Sequence, residues 1–244
     1  LLKVRQLRVG ATHFTLLSLS KTYEEKNMKS VSRIAAAATI VAGAMFSTNA
    51  SAEVSYNIGY MSEYIFRGYV QKVSAASAGA DYENGGFYAG TWAADVGDGL
   101  EIDGYFGYGI ETESGLTASV GFTGYYYTGD TFDDTYEEIN LNVGYGVFGL
   151  EYSFGEHDNL NGTKEDYDFI AATVALENGF YGTYGSWGDQ LDGSYLELGY
   201  GTTIADFDVG VAAIFADDDV CGATNATGGC EQEESVTFSI GKSF

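Results

Sequence analysis

The residues of this chain that carry chemistry are mostly carboxylates, and they recur at one kind of position. Glu101, Asp103, Glu111, Glu138, Glu151, Glu197 and Asp208 each stand on the polar side of a stretch in which apolar and polar residues alternate. A ring of such carboxylates would line a polar interior and favour cations in a water-filled passage. The plainer reading is that they keep an interior polar or pair with the few bases. Arg67 is the one base expected beside them, at the end of the first alternating stretch. There it would pair with Glu63 or with interior acids and narrow an opening. Lys242 falls on the apolar phase near the end of the last stretch, where its stem can run past apolar surface to a polar boundary.

Catalysis finds little to work with. A serine hydrolase needs a nucleophile beside a histidine base. Beyond residue 52 the one histidine is His157, read as lying in a polar loop, with Asn159 where a serine would be wanted. The loop acids Asp158 and Asp217 are its remaining companions. The sequence therefore names no catalytic residue and predicts no enzyme. Asp217-Asp218-Asp219 offers oxygen ligands of the kind calcium takes, but a solvated acidic loop is the simpler reading. Cys221 and Cys230 share a glycine-rich loop, and in an exported chain they would oxidise to a loop-stapling disulfide. Two thiols alone leave a metal site incomplete. No metal and no cofactor is implied.

The elements that must position these side chains are strands. The carboxyl-terminal run Ser235–Phe244 puts Val236, Phe238, Ile240 and Phe244 on one face and Thr237, Ser239, Gly241 and Ser243 on the other. Leu100, Ile102, Phe106, Tyr108 and Ile110 oppose Glu101, Asp103, Tyr105, Gly107, Gly109 and Glu111 in the same way. Continued along the chain, the pattern reads as twelve strands of about 9–11 residues, the length a tilted strand needs to cross a bilayer; ten is the alternative count. The first begins with Val54, Tyr56, Ile58 and Tyr60 and continues through Tyr64 and Phe66. The second is read as 75–83, after a loop from 67 to 74. The phase of the third, 87–95, stays open, because Phe87 and Trp92 could each face outward. Tight turns near 84–86, 113–115, 146–147, 177–179 and 205–206 alternate with longer polar segments, among them 129–135, 156–166 and 217–234. Short turns at one end and long loops at the other mark an up-and-down antiparallel barrel of the outer-membrane kind. An even strand count would bring both termini to the periplasmic end. The absence of proline suits unbroken ladders, and 20 tyrosines suit strands and interfacial girdles.

The first 52 residues read as processing sequence. Residues 1–27 look like an upstream extension from a start site placed too early. Residues 28–52 combine the basic Met28–Arg33, the apolar Ile34–Phe46 and the cleavage signal Ala50-Ser51-Ala52, which is the make-up of a secretory signal peptide. Residues 53–244 would then form the barrel, with Arg67, Lys72, Lys164 and Lys242 as their whole stock of Lys and Arg. The net charge of −24 for the full chain becomes more negative once the basic leader is removed. That excludes nucleic acid as a partner, which needs a basic face, and excludes a basic patch for anionic lipid.

At Ser62-Glu63-Tyr64-Ile65-Phe66-Arg67-Gly68, and again at Gly86-Phe87-Tyr88-Ala89-Gly90-Thr91-Trp92, the chain resembles the TorF family of porins, formerly described as an uncharacterised proteobacterial outer-membrane family. The likeness runs on through Glu101–Tyr108, Gly124–Gly129 and Tyr136-Glu137-Glu138 to Gly241-Lys242-Ser243-Phe244. Gln71 falls where that family has a glutamine, whereas Tyr69-Val70 departs from its smaller or polar residues. The resemblance implies outer-membrane placement and a pore-like role, and carries over no substrate and no functional residues.

Taken together the sequence predicts a Gram-negative outer-membrane porin-like channel for passive diffusion of small solutes, with a preference for cations. The interior acids would supply the field, and the segments 67–74 and 156–166 would shape the mouth. The expected partners are outer-membrane lipid, small solutes or cations, and the barrel-assembly machinery, which would read the last strand ending at Phe244. Nothing selects an oligomeric state. The alternative is a closed structural, ligand-binding or adhesive barrel. An interior blocked by tyrosines and Arg67 would favour it, and a continuous water path would favour the pore.

Overall fold

The computed structural model describes residues 52–129, 135–158, 163–189, 191–220 and 234–244. The proposed leader, Asn159 and both cysteines lie outside the described residues. The chain forms twelve strands: β1 Glu53–Phe66, β2 Tyr69–Asn84, β3 Phe87–Gly97, β4 Gly99–Glu111, β5 Leu116–Tyr127, β6 Tyr136–Tyr145, β7 Phe148–Asp158, β8 Lys164–Ala175, β9 Phe180–Asp189, β10 Ser194–Ile204, β11 Phe207–Ala216 and β12 Glu234–Ser243. Each pairs antiparallel with the next, and β12 returns to β1, so the sheet closes and leaves no edge. The closing seam pairs Asn57 with Ser243 and Met61 with Ser239, and the Phe244 amide donates to the Tyr56 carbonyl at 2.9 Å. Both ends of the barrel segment therefore meet at one rim.

Alternation along the strands decides which side chains face where. On the outside, all twelve strands expose large apolar residues, from Val54, Tyr56 and Ile58 on β1 to Val236 and Phe238 on β12. Phe148 is 65 % and Val236 68 % exposed, far beyond what a protein bathed in water presents as one continuous surface. This is a lipid-facing wall. The inside carries glycine, serine, threonine, asparagine, tyrosine and acid. Several inward glycines lie under tyrosine rings: a Cβ on Gly90 would meet Tyr105 at 2.6 Å.

The rim that holds the termini is built from tight turns. Gly85-Gly86 and Ala205-Asp206 both carry two successive positive φ angles, the two-residue turn whose twist matches that of the flanking strands. At the opposite rim two connections are shorter than the sequence suggests. Arg67-Gly68, with φ of 47° and 92°, turns the chain at once into β2, so residues 69–74 are strand and not loop. Likewise β7 runs on to Asp158 and β8 begins at Lys164, so most of 156–166 belongs to the wall. Apart from Val73 these extensions expose no large apolar side chain, so hydropathy alternation does not reveal them.

Two phases also come out of the register. Trp92 pairs across the sheet with Asp103 and faces inward, which puts Phe87 outside. In β1 the register shifts between Tyr64 and Ile65, and Tyr64 turns into the lumen, 2 % exposed.

Candidate functional site

The lumen holds a dense plug towards the long-loop rim. Its centre is Arg67, which leaves the β1–β2 turn and points inward. Its guanidinium donates to both carboxylate oxygens of Glu138, at 2.8 and 2.9 Å, to Glu151 at 2.6 Å and to the Ser153 hydroxyl at 3.1 Å. A paired, fork-on-fork contact of this kind fixes the guanidinium in its plane. Its faces are covered by rings: the guanidinium carbon lies 4.3 Å from the centre of Phe169, 4.9 Å from that of Phe66 and 5.4 Å from that of Trp187. The Trp187 indole N–H donates to the Arg67 carbonyl at 3.0 Å, which holds the turn itself.

Glu138 is fully enclosed and fully satisfied. Besides Arg67 it accepts from the Tyr125 hydroxyl at 2.8 Å, the Asn140 amide at 2.6 Å and the Tyr167 hydroxyl at 3.0 Å. A buried charge persists only when it is paired and hydrogen-bonded, and these donors from β5, β6 and β8 meet that demand. Above the plug, Val220 in the described start of the long β11–β12 connection is 1 % exposed and packs with Tyr167, Trp187 and Tyr195. Asp217 holds that segment in place by accepting from the Ser194 amide at 2.7 Å and its hydroxyl at 2.9 Å. The Asp217-Asp218-Asp219 run thus begins in a hydrogen-bonded turn, and the described residues contain no group of three or more acidic, histidine or cysteine side chains suited to a metal ion.

Buried inward residues occur all the way round. Inward residues that are nine-tenths or more buried come from all twelve strands: Tyr64, Ala75, Trp92, Asp103, Tyr125, Glu138, Ser153, Phe169, Trp187, Tyr195, Ile214 and Ser235 in chain order. Towards the rim of tight turns the inward residues become half-exposed, among them Asn57, Ser77, Asp81, Ser119, Asn142, Thr173 and Glu197. The lumen is therefore a polar vestibule on one side of a closely packed plug.

The seven sequence-predicted acids all face inward but do different things. Glu138 and Glu151 hold Arg67. Glu101 accepts from the Tyr64 hydroxyl, and Glu197 from that of Tyr181 at 2.6 Å. Asp103 is 1 % exposed and its carboxylate has no hydrogen-bond partner. Glu111 and Asp208 sit at the rim of tight turns, Asp208 accepting from Thr203 at 2.7 Å. Lys242 lies outside, over the rings of Phe207 and Phe244 at 5.0 and 5.5 Å. His157 stands on β7, not in a loop, 7 % exposed and stacked on Tyr136 at 4.8 Å. The aromatic half of the plug, Phe169, Trp187 and Tyr195, was not singled out from the sequence. Its signal was present in large aromatics on the small-residue phase of β8, β9 and β10.

These features define a closed twelve-stranded antiparallel barrel with an apolar exterior and a lumen in which buried side chains pack around Arg67. Residues 46–244 match a family described as "Bacterial protein of unknown function (Gcw_chp)", and the chain belongs to it. The TorF resemblance points to the same kind of barrel, though the matched family carries a different name. Among curated proteins none matches the chain. Among solved structures it is similar to the outer membrane protein OpdK from Pseudomonas aeruginosa, at 13 % identity and a TM-score of 0.36, covering 71 % of this chain and 57 % of that one. It is similar also to the NanC porin, at 12 % identity and a TM-score of 0.47, covering 78 % of this chain and 98 % of that one. A third is OccAB2 of Acinetobacter baumannii, at 10 % identity and a TM-score of 0.39, covering 81 % and 66 %.

Proposed function

We propose that this chain is an outer-membrane barrel of porin-like kind in which passive movement of small solutes is controlled by the Arg67 plug. The observation that carries this reading is the two-part lumen: a polar, solvent-reached vestibule ends at a seal whose centre is an ion pair hung from a single turn. A purely structural interior is filled at least as well by apolar side chains, because burying charge costs as much as the pairing returns. A removable charged plug is the use that distinguishes the two. Arg67 also holds a left-handed backbone conformation, φ 47°, which a non-glycine residue keeps only when its surroundings impose it. With Arg67 displaced, the lumen would present Glu101, Asp103, Glu138 and Glu151 to the path, and this supports cation preference as the finer part of the proposal. Glu197, Glu111 and Asp208 would extend that field to the periplasmic rim. Lipid on the outside and small cations or neutral solutes within are the proposed partners.

The same seal supports a second reading, a permanently closed barrel whose outer segments bind elsewhere. Liposome swelling separates the two. Proteoliposomes containing the folded wild type should swell slowly in a small neutral sugar, and those containing Arg67→Ala at least several times faster. Inserted, folded Arg67→Ala barrels that swell no faster than empty liposomes would leave the closed barrel standing.

A further inference from the structure

The plug carries more negative charge than its arginine answers. Glu101, Asp103, Glu138 and Glu151 all face inward, and one guanidinium is shared between the last two. Glu101 is stabilised only by neutral donors, the Tyr64 hydroxyl and that of Tyr127. Asp103 stands two residues further along the same face, 1 % exposed, with neither carboxylate oxygen hydrogen-bonded. It is held between Trp92 on β3 and Tyr125 on β5, its cross-strand neighbours, and both of these are buried too. An ionised carboxylate shut away from water without a partner costs several kcal/mol. Such a group in a native interior points to an ion or water that completes it.

We infer that Asp103, with Glu101, holds one small singly charged cation of sodium, potassium or ammonium size inside the lumen. The donors present are two carboxylates with no third acid, histidine or cysteine grouped with them among the described residues, fewer anionic ligands than a calcium site takes. The cross-strand neighbours of Asp103, Trp92 and Tyr125, are 4 % and 3 % exposed, so the place suits a small ion rather than an organic ammonium. The site belongs to the resting barrel and does not depend on whether solutes pass.

The test is thermal unfolding of the refolded full-length barrel domain at constant ionic strength. Potassium or sodium chloride replaces N-methylglucamine chloride, whose cation is too large to enter. Raising potassium to about a hundred times its dissociation constant should lift the wild-type midpoint by roughly 5–10 °C. Asp103→Asn should abolish the response, and Glu113→Gln in an exposed tight turn should leave it intact. An equal response in wild type and Asp103→Asn means general screening and overturns the site. Should Asp103→Asn not refold, the wild type decides alone: a midpoint indifferent to cation identity overturns the proposal. Infrared spectroscopy at pH 7 closes the other exit. A protonated-carboxyl band present in wild type and lost in Asp103→Asn means that a proton, not a cation, occupies the site.

Discussion

Removing the Arg67 charge should cost the barrel much of its stability, and removing its partner with it should return most of that loss. Arg67 makes two hydrogen bonds to Glu138 and one to Glu151, with side chains 7 %, 0 % and 12 % exposed. Breaking a buried pair from one side leaves the other charge uncompensated, at about 3–5 kcal/mol. Glu138 keeps Tyr125, Asn140 and Tyr167 as donors, so Arg67→Met falls at the lower end, about 3 kcal/mol. Glu138→Gln leaves Arg67 with Glu151 and should cost about 2 kcal/mol. The double variant removes both charges and fills the space with uncharged atoms, so its cost falls short of the sum by about 2 kcal/mol or more. Urea unfolding of the refolded protein, followed by tryptophan fluorescence, measures all three corners against wild type. Costs that add to within about 0.5 kcal/mol would show that the two side chains do not act as one unit, and the plug argument would fall.

Three further outcomes follow from the same geometry. Both tryptophans of the chain lie in the plug, Trp92 4 % and Trp187 6 % exposed, so acrylamide and iodide should quench wild-type emission weakly and that of Arg67→Ala strongly. Gly90→Ala places a methyl 2.6 Å from the Tyr105 ring, whose hydroxyl is tied to Asp81, and should cost about 1–3 kcal/mol in the same urea assay. Phe244→Ala keeps the backbone pairing with Tyr56 but removes an outward aromatic, 66 % exposed. If the assembly machinery reads this end, the variant should refold in detergent yet accumulate several-fold less as heat-modifiable barrel in the outer membrane; equal accumulation would dismiss that partner.

Much of the barrel was legible because two-fold alternation is a direct image of a wall with lipid on one side. The phases of Glu101 and Asp103, Glu138, Glu151, Glu197 and Asp208 follow from their apolar neighbours, the turn at 85–86 from glycines that tolerate positive φ, and those at 146–147 and 205–206 from short breaks between alternating runs. Alternation fails where the outside is no longer apolar. Residues 69–74, 156–158 and 164–166 read as loop from the sequence because their residues are mostly polar or out of phase, although they belong to strands. It fails too where the ladder is irregular: Tyr64 faces the lumen in a part of β1 that lies between Ser74, at φ 67° on the partner strand, and a register shift at Ile65. Trp92 could not be assigned from β3 alone, since only the pairing with Asp103 fixes its face. The plug was the least legible part. Arg67 was expected among lumen acids, but its union with Glu138 and Glu151 joins β1 to β6 and β7, a contact between distant strands that no local pattern encodes.

Arg67 is proposed to hold together the plug that closes the lumen. Single-channel recording in a planar bilayer under a potassium chloride gradient tests it most directly, with wild type and Arg67→Ala compared after insertion of folded protein. The account expects wild type to stay closed apart from brief openings, and Arg67→Ala to give long-lived discrete steps with a cation-selective reversal potential. Steady large steps from wild type, or silence from both, would contradict it.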